Sequence, residues 1–215
     1  MNMETSQYKG IPAMSPPVVH EYLHELGSNW TGAGMAMELG CWLGATSVPL
    51  LEGLVSVWYD KPFYAFDKWR ANEEQAIKAE SQGHPLSNGQ DIMPVYMNNV
   101  SAVYDDVRPV KGNIPDTLQQ IKMEPIEICI FDAPKQDPIF IDSMKRLEPY
   151  FIPGVTVLGL LDYYSYSKNK GHRAEILRAP VNFMEKYGSC FTKIAEWPTE
   201  CSCAFFKYEK PISWK

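Results

Sequence analysis

Two kinds of hydrophobic pattern alternate along the chain, which has 215 residues. Short apolar runs rich in β-branched residues predict strands, and apolar residues at helical spacing predict helices between them. Ile126–Phe131 is apolar over almost its whole length, which is typical of a buried central strand of a parallel sheet. Six more strands are predicted at residues 34–39, 62–66, 109–112, 155–161, 191–197 and 202–208.

The connection between the last two predicted strands defines their relative direction. Only residues 198–201 separate them, whereas a parallel crossover needs a dozen residues or more. These two strands must therefore be antiparallel. The whole pattern predicts an α/β protein with a doubly wound, mostly parallel sheet that ends in an antiparallel hairpin.

Helices are predicted in the segments between the strands. Ser15-Pro16-Pro17 marks the start of the first helix, and Gly27 marks its end. The polar residues 70–97 predict a lid-like excursion over one end of the sheet, and residues 1–30 a cap segment. No linker or repeat divides the chain, so residues 1–215 are predicted to form a single domain. Further helices are predicted at residues 45–55, 72–80, 98–104, 139–150 and 173–187, with a short one from residue 115.

The charge balance excludes several classes of partner. Lys and Arg number 20 and Asp and Glu 26, which gives a net charge of −6. Because the chain has no basic cluster, neither nucleic acid nor an anionic membrane surface is an expected partner. The uncharged stretches are shorter than the roughly 20 residues of a membrane-spanning helix, and residues 1–5 lack the basic start of a signal peptide. We therefore expect a cytoplasmic protein whose five cysteines are reduced and buried.

Polar side chains recur where the predicted parallel strands end. Ligands of open α/β sheets bind beyond the carboxyl ends of the strands, where loops and helix N-termini meet. These side chains are therefore expected to belong to one site. They are Glu38, Asp67, Asn113, Asp132 and Asp162.

The turn after the first predicted strand is rich in glycine, since residues 38–44 read ELGCWLG. Its glycines stand four residues apart, unlike those of the Gly-x-Gly-x-x-Gly motif of dinucleotide-binding proteins. Trp42 occupies the position where a glycine would let a pyrophosphate approach the backbone, so NAD is disfavoured. Asp67 ends the next strand, at the separation expected for an acid that binds the two hydroxyls of a ribose.

This turn resembles the first motif of class I S-adenosylmethionine-dependent methyltransferases, in which an acid precedes two spaced glycines. The resemblance implies a Rossmann-like sheet with the strand order 3-2-1-4-5-7-6 and an antiparallel last strand. It also implies that the turn packs against the methionine part of S-adenosylmethionine, and that residues after the third strand flank the adenine. The implied cofactor-binding residues are Glu38, Gly40, Trp42, Gly44, Asp67, Asn113 (where Asp is more usual) and Asp132.

Two later segments resemble the metal-dependent O-methyltransferase branch, which includes catechol-type and macrolide-sugar-type enzymes. Residues 131–135 read FDAPK and residues 160–164 read LLDYY. The resemblance implies that Asp132 and Asp162 bind Mg²⁺ or another divalent cation. It also implies that Lys135 acts near the acceptor hydroxyl, which makes Lys135 and Asp132 the catalytic residues. A lysine beside a metal could lose its proton and serve as base, and whether the base is Lys135, a histidine or a metal-bound group stays open. Tyr163 stands where the branch usually has a further metal ligand, so the metal remains open.

A competing motif lies near the amino terminus. His20 and His24 enclose Glu21 at the H-E-x-x-H spacing of zinc proteases. The extended form of that motif needs a third histidine where Trp30 stands. The two histidines are therefore expected to be partly exposed residues of an ordinary helix.

The sequence favours a transferase that methylates an oxygen of a small acceptor such as a sugar or a natural product. The alternatives are a domain that binds the cofactor without transferring a methyl group and, less favoured, an NAD-linked oxidoreductase. Tyr163, Tyr164 and Tyr166 are candidates for lining an acceptor pocket. Cys201 and Cys203 fall on one face of a strand, where core packing is favoured. A small molecule is the expected partner, and a homo-oligomer is left open.

Overall fold

The computed structural model describes residues 7–133 and 135–214. Its strands are β1 Met35–Leu39, β2 Phe63–Asp67, β3 Val107–Lys111, β4 Ile126–Phe131, β5 Val157–Leu160, β6 Phe191–Trp197 and β7 Cys203–Tyr208. They form one seven-stranded sheet in the order β3-β2-β1-β4-β5-β7-β6. The strand order that the resemblance implied is therefore confirmed.

The helices lie in the segments between the strands, as the alternating pattern predicted. Their bounds are α1 Pro17–Ser28, α2 Ser47–Ser56, α3 Glu73–Glu80, α4 Met93–Val100, α5 Ile139–Leu147, α6 Gly171–Ile176 and α7 Ala179–Tyr187. Short 3-10 turns occur as well, and the one at Asp116–Gln120 is the short helix predicted from residue 115.

Contacts between residues divide the described chain into two compact units. The first consists of the described residues up to Thr31 and of Cys41–Gly112, and β2 and β3 pair in parallel within it. The second consists of Gly32–Gly40 and the described residues from Asn113 onward. In this second unit β1, β4 and β5 are parallel neighbours, and β7 is antiparallel to β5 and to β6. The antiparallel hairpin predicted from the short connection is confirmed.

Two helix predictions differ from the structure. α4 begins at Met93, well before the predicted start at residue 98, and Pro94 lies in its first turn, where a missing N–H is tolerated. The single helix predicted over residues 173–187 is divided into α6 and α7. Pro180 lies in the first turn of α7 and has no N–H with which to continue the bonding pattern of α6.

The structure places His20 of the H-E-x-x-H motif in the core, so the expected partial exposure of His20 is wrong. His20 is 1% exposed, its Nε2 is hydrogen-bonded to Ser15 Oγ at 2.7 Å, and its ring packs edge-on against Tyr8. Val19, His20 and Leu23 lie on the buried face of α1, so the imidazole is a core group. Burial lowers the pKa of His20 from 6.5 to about 4.

We expect this buried imidazole to make the protein sensitive to acid. Because the pKa of His20 is lowered on folding, the unfolded chain binds the proton more strongly, and stability falls as the pH drops from about 6.5 towards 4. Between pH 7 and pH 5 the wild type should lose about 2 kcal/mol more unfolding free energy than the His20→Phe variant. Urea unfolding at both pH values measures this difference. His84→Phe, which alters an exposed histidine, should behave like the wild type. An equal loss of unfolding free energy in all three proteins would contradict the lowered pKa of His20.

Within the described residues, the helices are all too short or too polar to cross a membrane. The five cysteines are free. Four of them are buried, whereas Cys201 is half-buried. The prediction of buried thiols is thus confirmed for all but Cys201.

Candidate functional site

The carboxylate of Asp67 fixes the glycine-rich turn in the first unit. Asp67 Oδ2 accepts hydrogen bonds from the backbone N–H groups of Cys41 at 2.9 Å and Trp42 at 3.0 Å. Its Oδ1 accepts a third from the N–H of Trp69 at 2.9 Å. Since three backbone donors converge on one side chain, the turn is tied to the end of β2. We call Cys41, Trp42, Gly44 and Asp67 the turn cluster.

Helix α4 holds the same turn from another direction. Gly44 has φ +92°, and a Cβ there would lie 3.2 Å from Tyr96 Cδ2, so the position requires glycine on both counts. Asn99 Nδ2 donates a hydrogen bond to Leu43 O at 2.9 Å. The Tyr96 ring lies 4.6 Å from that of Trp69. The sequence interpretation missed these contacts because it placed Tyr96 in the polar excursion.

Trp42 combines backbone strain with an unsatisfied donor. Its φ is +43°, in the left-handed region that non-glycine residues rarely adopt. Its indole Nε1 is buried and has no hydrogen-bond partner among the described residues. A buried N–H without an acceptor is costly, so this donor is well suited to an acceptor atom of a bound ligand.

The free hydrogen-bonding capacity of the turn cluster fits part of an adenosyl ligand. A carboxylate offers about four acceptor positions, and Asp67 uses three of them on backbone N–H groups. One position on Oδ1 remains for a ligand hydroxyl, and Trp42 Nε1 remains as a donor. Asp67 can therefore bind one ribose hydroxyl in this arrangement rather than two.

A lysine joins two strand-end carboxylates in the second unit. Lys135 Nζ lies 2.9 Å from Asp132 Oδ1 and also forms an ion pair with Asp162 Oδ2. Ser165 Oγ donates a hydrogen bond to Asp162 Oδ1 at 2.9 Å. Burial alone would lower the pKa of Lys135, but the two carboxylates outweigh it and raise the pKa. We call Asp132, Lys135 and Asp162 the lysine cluster; its amine carries a proton at neutral pH.

The ends of β1, β4 and β5 position this cluster. Leu39 O accepts from the N–H groups of both Asp132 and Ala133, which fixes the backbone after β4. Gly40 lies against that backbone: its φ is +89°, and a Cβ would stand 2.8 Å from Ala133 Cβ. Asp162 has φ +70°, in the left-handed region. The spacing of the strand-end acids thus brings Asp132 and Asp162 together, as the sequence predicted.

The other two strand-end residues lie apart from this ion pair. Glu38 is fully buried inside β1, opposite Ile130 of β4, rather than at an open strand end. Asn113 is exposed, and its backbone carbonyl accepts from Thr117 N–H at 3.1 Å. Their roles towards a cofactor stay predictions.

The residues present do not complete a ligand set for a divalent cation. Asp132 and Asp162 already neutralise the Lys135 ammonium, which lies where the two carboxylates would share a metal. In the part of the chain that the structure describes, no group of three or more His, Cys, Asp and Glu side chains is arranged to hold a metal ion. The metal therefore stays a prediction from the resemblance.

The tyrosines after β5 pack mainly against the sheet. The Tyr163 ring lies 4.8 Å from Tyr164 and 5.3 Å from Phe206. Tyr164 is hydrogen-bonded to Glu196 of β6. Tyr166 is covered by the Arg178 guanidinium, 5.1 Å from the ring centre. Packing thus accounts for much of this cluster, and a role in an acceptor pocket stays a prediction.

Comparisons with known proteins identify proteins of similar fold but no close relative in sequence. No family model matches the chain, and no curated protein matches it. An O-methyltransferase from Bacillus cereus, solved in complex with S-adenosylhomocysteine, is 19% identical with a TM-score of 0.59, covering 93% of this chain and 84% of that one. The O-methyltransferase NovP is 14% identical with a TM-score of 0.63, covering 89% and 79%. CalS11, a TDP-rhamnose 3′-O-methyltransferase, is 13% identical with a TM-score of 0.56, covering 90% and 78%. At these identities the likeness shows a class I methyltransferase fold.

Proposed function

We propose that the protein is an S-adenosylmethionine-dependent methyltransferase that methylates a hydroxyl oxygen of a small acceptor, such as a sugar or a natural product. The observation that carries this function is the turn cluster, in which Asp67 fixes a glycine-rich turn and keeps one acceptor position free. The lysine cluster and the similar fold of two O-methyltransferases support it.

The proposed cofactor-binding roles start from the hydrogen-bonding positions that remain open on Asp67 and Trp42. Asp67 Oδ1 accepts from a ribose hydroxyl, and the buried Trp42 Nε1–H donates to an acceptor atom of the cofactor. Gly40 and Gly44 place no side chain at the two ends of the turn. We further assign Asn113 to the adenine edge, Glu38 to the support of the turn through β1, and Asp132 to the cofactor as well as to catalysis.

The acceptor hydroxyl must lose its proton as the oxygen attacks. S-adenosylmethionine, when bound, supplies a methyl group on a positively charged sulfur. The Lys135 ammonium donates a hydrogen bond to the acceptor oxygen and stabilises the negative charge that develops there. Asp132 accepts the proton, because its half-exposed carboxylate lies 2.9 Å from the amine. No step uses a divalent cation, since Lys135 supplies the positive charge between the two carboxylates.

The predicted lid and cap belong to this function. Arg70 and Asp91 form an isolated antiparallel bridge, which closes residues 70–91 into a loop. Lys111 Nζ forms an ion pair with Asp91 at 2.8 Å. We propose that residues 70–97 are a lid and residues 1–30 a cap over the acceptor, in a cytoplasmic enzyme.

A second candidate is a domain that binds the cofactor without transferring a methyl group. One observation favours it: both carboxylates of the lysine cluster are occupied by Lys135. Activity measurements separate the two candidates.

The test is methyl transfer from S-adenosylmethionine labelled on the methyl group. The native protein is incubated with a panel of sugars, catechols and hydroxylated natural products, once with Mg²⁺ and once with EDTA. We expect label on an acceptor oxygen in both conditions, because Lys135 provides the charge that a cation would otherwise supply. Binding of the cofactor without transfer to any acceptor would favour the second candidate.

A further inference from the structure

Two cysteines lie close together at the start of β7, although only one of them is in the strand. Cys203 is the first residue of β7 and is 2% exposed. Cys201 lies in the turn after β6 and is half-buried. Ser202 between them has φ +64°, in the left-handed region. The backbone is therefore bent at Ser202, and core packing of both thiols, as favoured by the sequence, applies to Cys203 alone.

This bend brings Cys203 Sγ against the backbone of Cys201. Cys203 Sγ donates a hydrogen bond to Cys201 O at 3.4 Å, and Cys201 Sγ donates one to Trp197 O at 3.7 Å. In an extended strand, residues two apart have Cα atoms about 6.6–6.8 Å from each other, at the upper limit for a disulfide. The bend at Ser202 shortens that separation. The pair is thus placed for a sulfur–sulfur bond.

The surroundings give the two thiols different reactivity. The neighbouring Cys203 lowers the pKa of Cys201 and outweighs the effect of burial, with Lys168 lowering and Glu200 raising the pKa by smaller amounts. Lys168 Nζ is held in this turn by a hydrogen bond to Thr199 O at 2.9 Å. Cys201 is therefore the accessible, more reactive thiol, and Cys203 is the buried partner behind it.

The turn is also attached to the lysine cluster. Ser202 O accepts a hydrogen bond from the N–H of Tyr164 at 2.8 Å. Leu160 of β5 pairs with Ala204 of β7, the residue after Cys203, and Asp162 follows β5 two residues later. A covalent change at Cys203 therefore occurs beside the segment that carries Asp162, which binds Lys135.

We propose that Cys201 and Cys203 form a modification site, at which a low-molecular-weight disulfide such as glutathione disulfide produces an intramolecular disulfide. The Cys201 thiolate attacks one sulfur of glutathione disulfide, which forms a mixed disulfide and releases one glutathione thiolate. Cys203 then loses its proton and attacks Cys201 Sγ, which releases the second glutathione. Two protein thiols are oxidised, and one glutathione disulfide is reduced to two glutathione molecules. The reaction does not depend on the proposed enzymatic function.

The test uses the native protein without cofactor. It is incubated with glutathione disulfide, its remaining thiols are alkylated, and the products are located by peptide mass spectrometry. We expect the peptide with Cys201 and Cys203 to lose two hydrogen atoms, to carry no glutathione and to regain both thiols in dithiothreitol. Cys41, Cys129 and Cys190 should stay reduced because they are buried.

Variants separate the two roles. Cys203→Ser should stop at a stable glutathione adduct on Cys201, since no second thiol can displace it. Cys201→Ser should not react, and Cys190→Ser, which alters a buried thiol elsewhere in the second unit, should behave like the wild type. A persistent glutathione adduct on the wild type, or equal reaction of the Cys201→Ser variant, would overturn the proposal. So would the absence of any reaction in the wild type.

Discussion

Replacement of Lys135 by Met is expected to lower the turnover number of methyl transfer by about 10²–10³-fold, the usual effect of removing one donor that stabilises a developing oxyanion. Met has a similar length but no charge, so Asp132 and Asp162 lose the ammonium that lies between them. Affinity for S-adenosylhomocysteine should change little, because Lys135 is assigned to the acceptor rather than to the cofactor. Single-turnover rates with labelled cofactor measure the first quantity, and calorimetry measures the second.

Two controls accompany this variant. Lys122→Met removes an exposed lysine before β4, at the amino end of that strand, and should keep the wild-type rate. Retained binding of S-adenosylhomocysteine shows that Lys135→Met is folded. If the folded Lys135→Met protein transfers methyl groups at the wild-type rate, the assigned role of Lys135 is wrong.

Replacement of Asp67 by Asn is expected to weaken binding of S-adenosylhomocysteine by about 10- to 100-fold, the effect of losing a hydrogen bond to a charged group. The remaining oxygen of Asn can still accept from Cys41 and Trp42, so the turn is kept. The amide nitrogen cannot accept from a ribose hydroxyl at the position of Oδ1. Calorimetric titration of the wild type and the variant measures the difference.

A modified ligand shows whether Asp67 touches the ribose or only shapes the turn. The wild type should bind S-adenosylhomocysteine about 10-fold more tightly than its 2′-deoxy or its 3′-deoxy analogue, whichever lacks the contacted hydroxyl. Asp67→Asn should bind all three ligands equally. Asp60→Asn, an exposed acid before β2, should match the wild type. An Asp67→Asn protein that still discriminates as the wild type does would assign the contact to another residue.

The strands and their order were predictable because each strand has a local signal. The continuous apolar run of β4 indicates a buried central strand, and the four residues between the last two predicted strands are too few for a parallel crossover. The start of α4 and the division between α6 and α7 depend on single prolines inside otherwise helical segments. The burial of His20 depends on Tyr8 and Ser15, which helical periodicity does not place.

The sequence predicted which residues lie near each other in the candidate site better than it predicted the contacts between them. Strand-end positions indicated that Asp132 and Asp162 would lie near each other, and they do. That Lys135 binds both depends on the path of the loop after β4, which spacing does not define. The sequence also predicted that Cys201 and Cys203 lie on one face of a strand. The bend at Ser202 instead leaves Cys201 in the turn before β7.

Calorimetric titration of the native protein with S-adenosylhomocysteine, with NADH as the comparison ligand, tests the central claim most directly. The turn cluster predicts one S-adenosylhomocysteine bound per chain and no binding of NADH, because Trp42 occupies the place a pyrophosphate would need. Failure of S-adenosylhomocysteine to bind, or binding of NADH in its place, would contradict the assignment of this fold to methyl transfer.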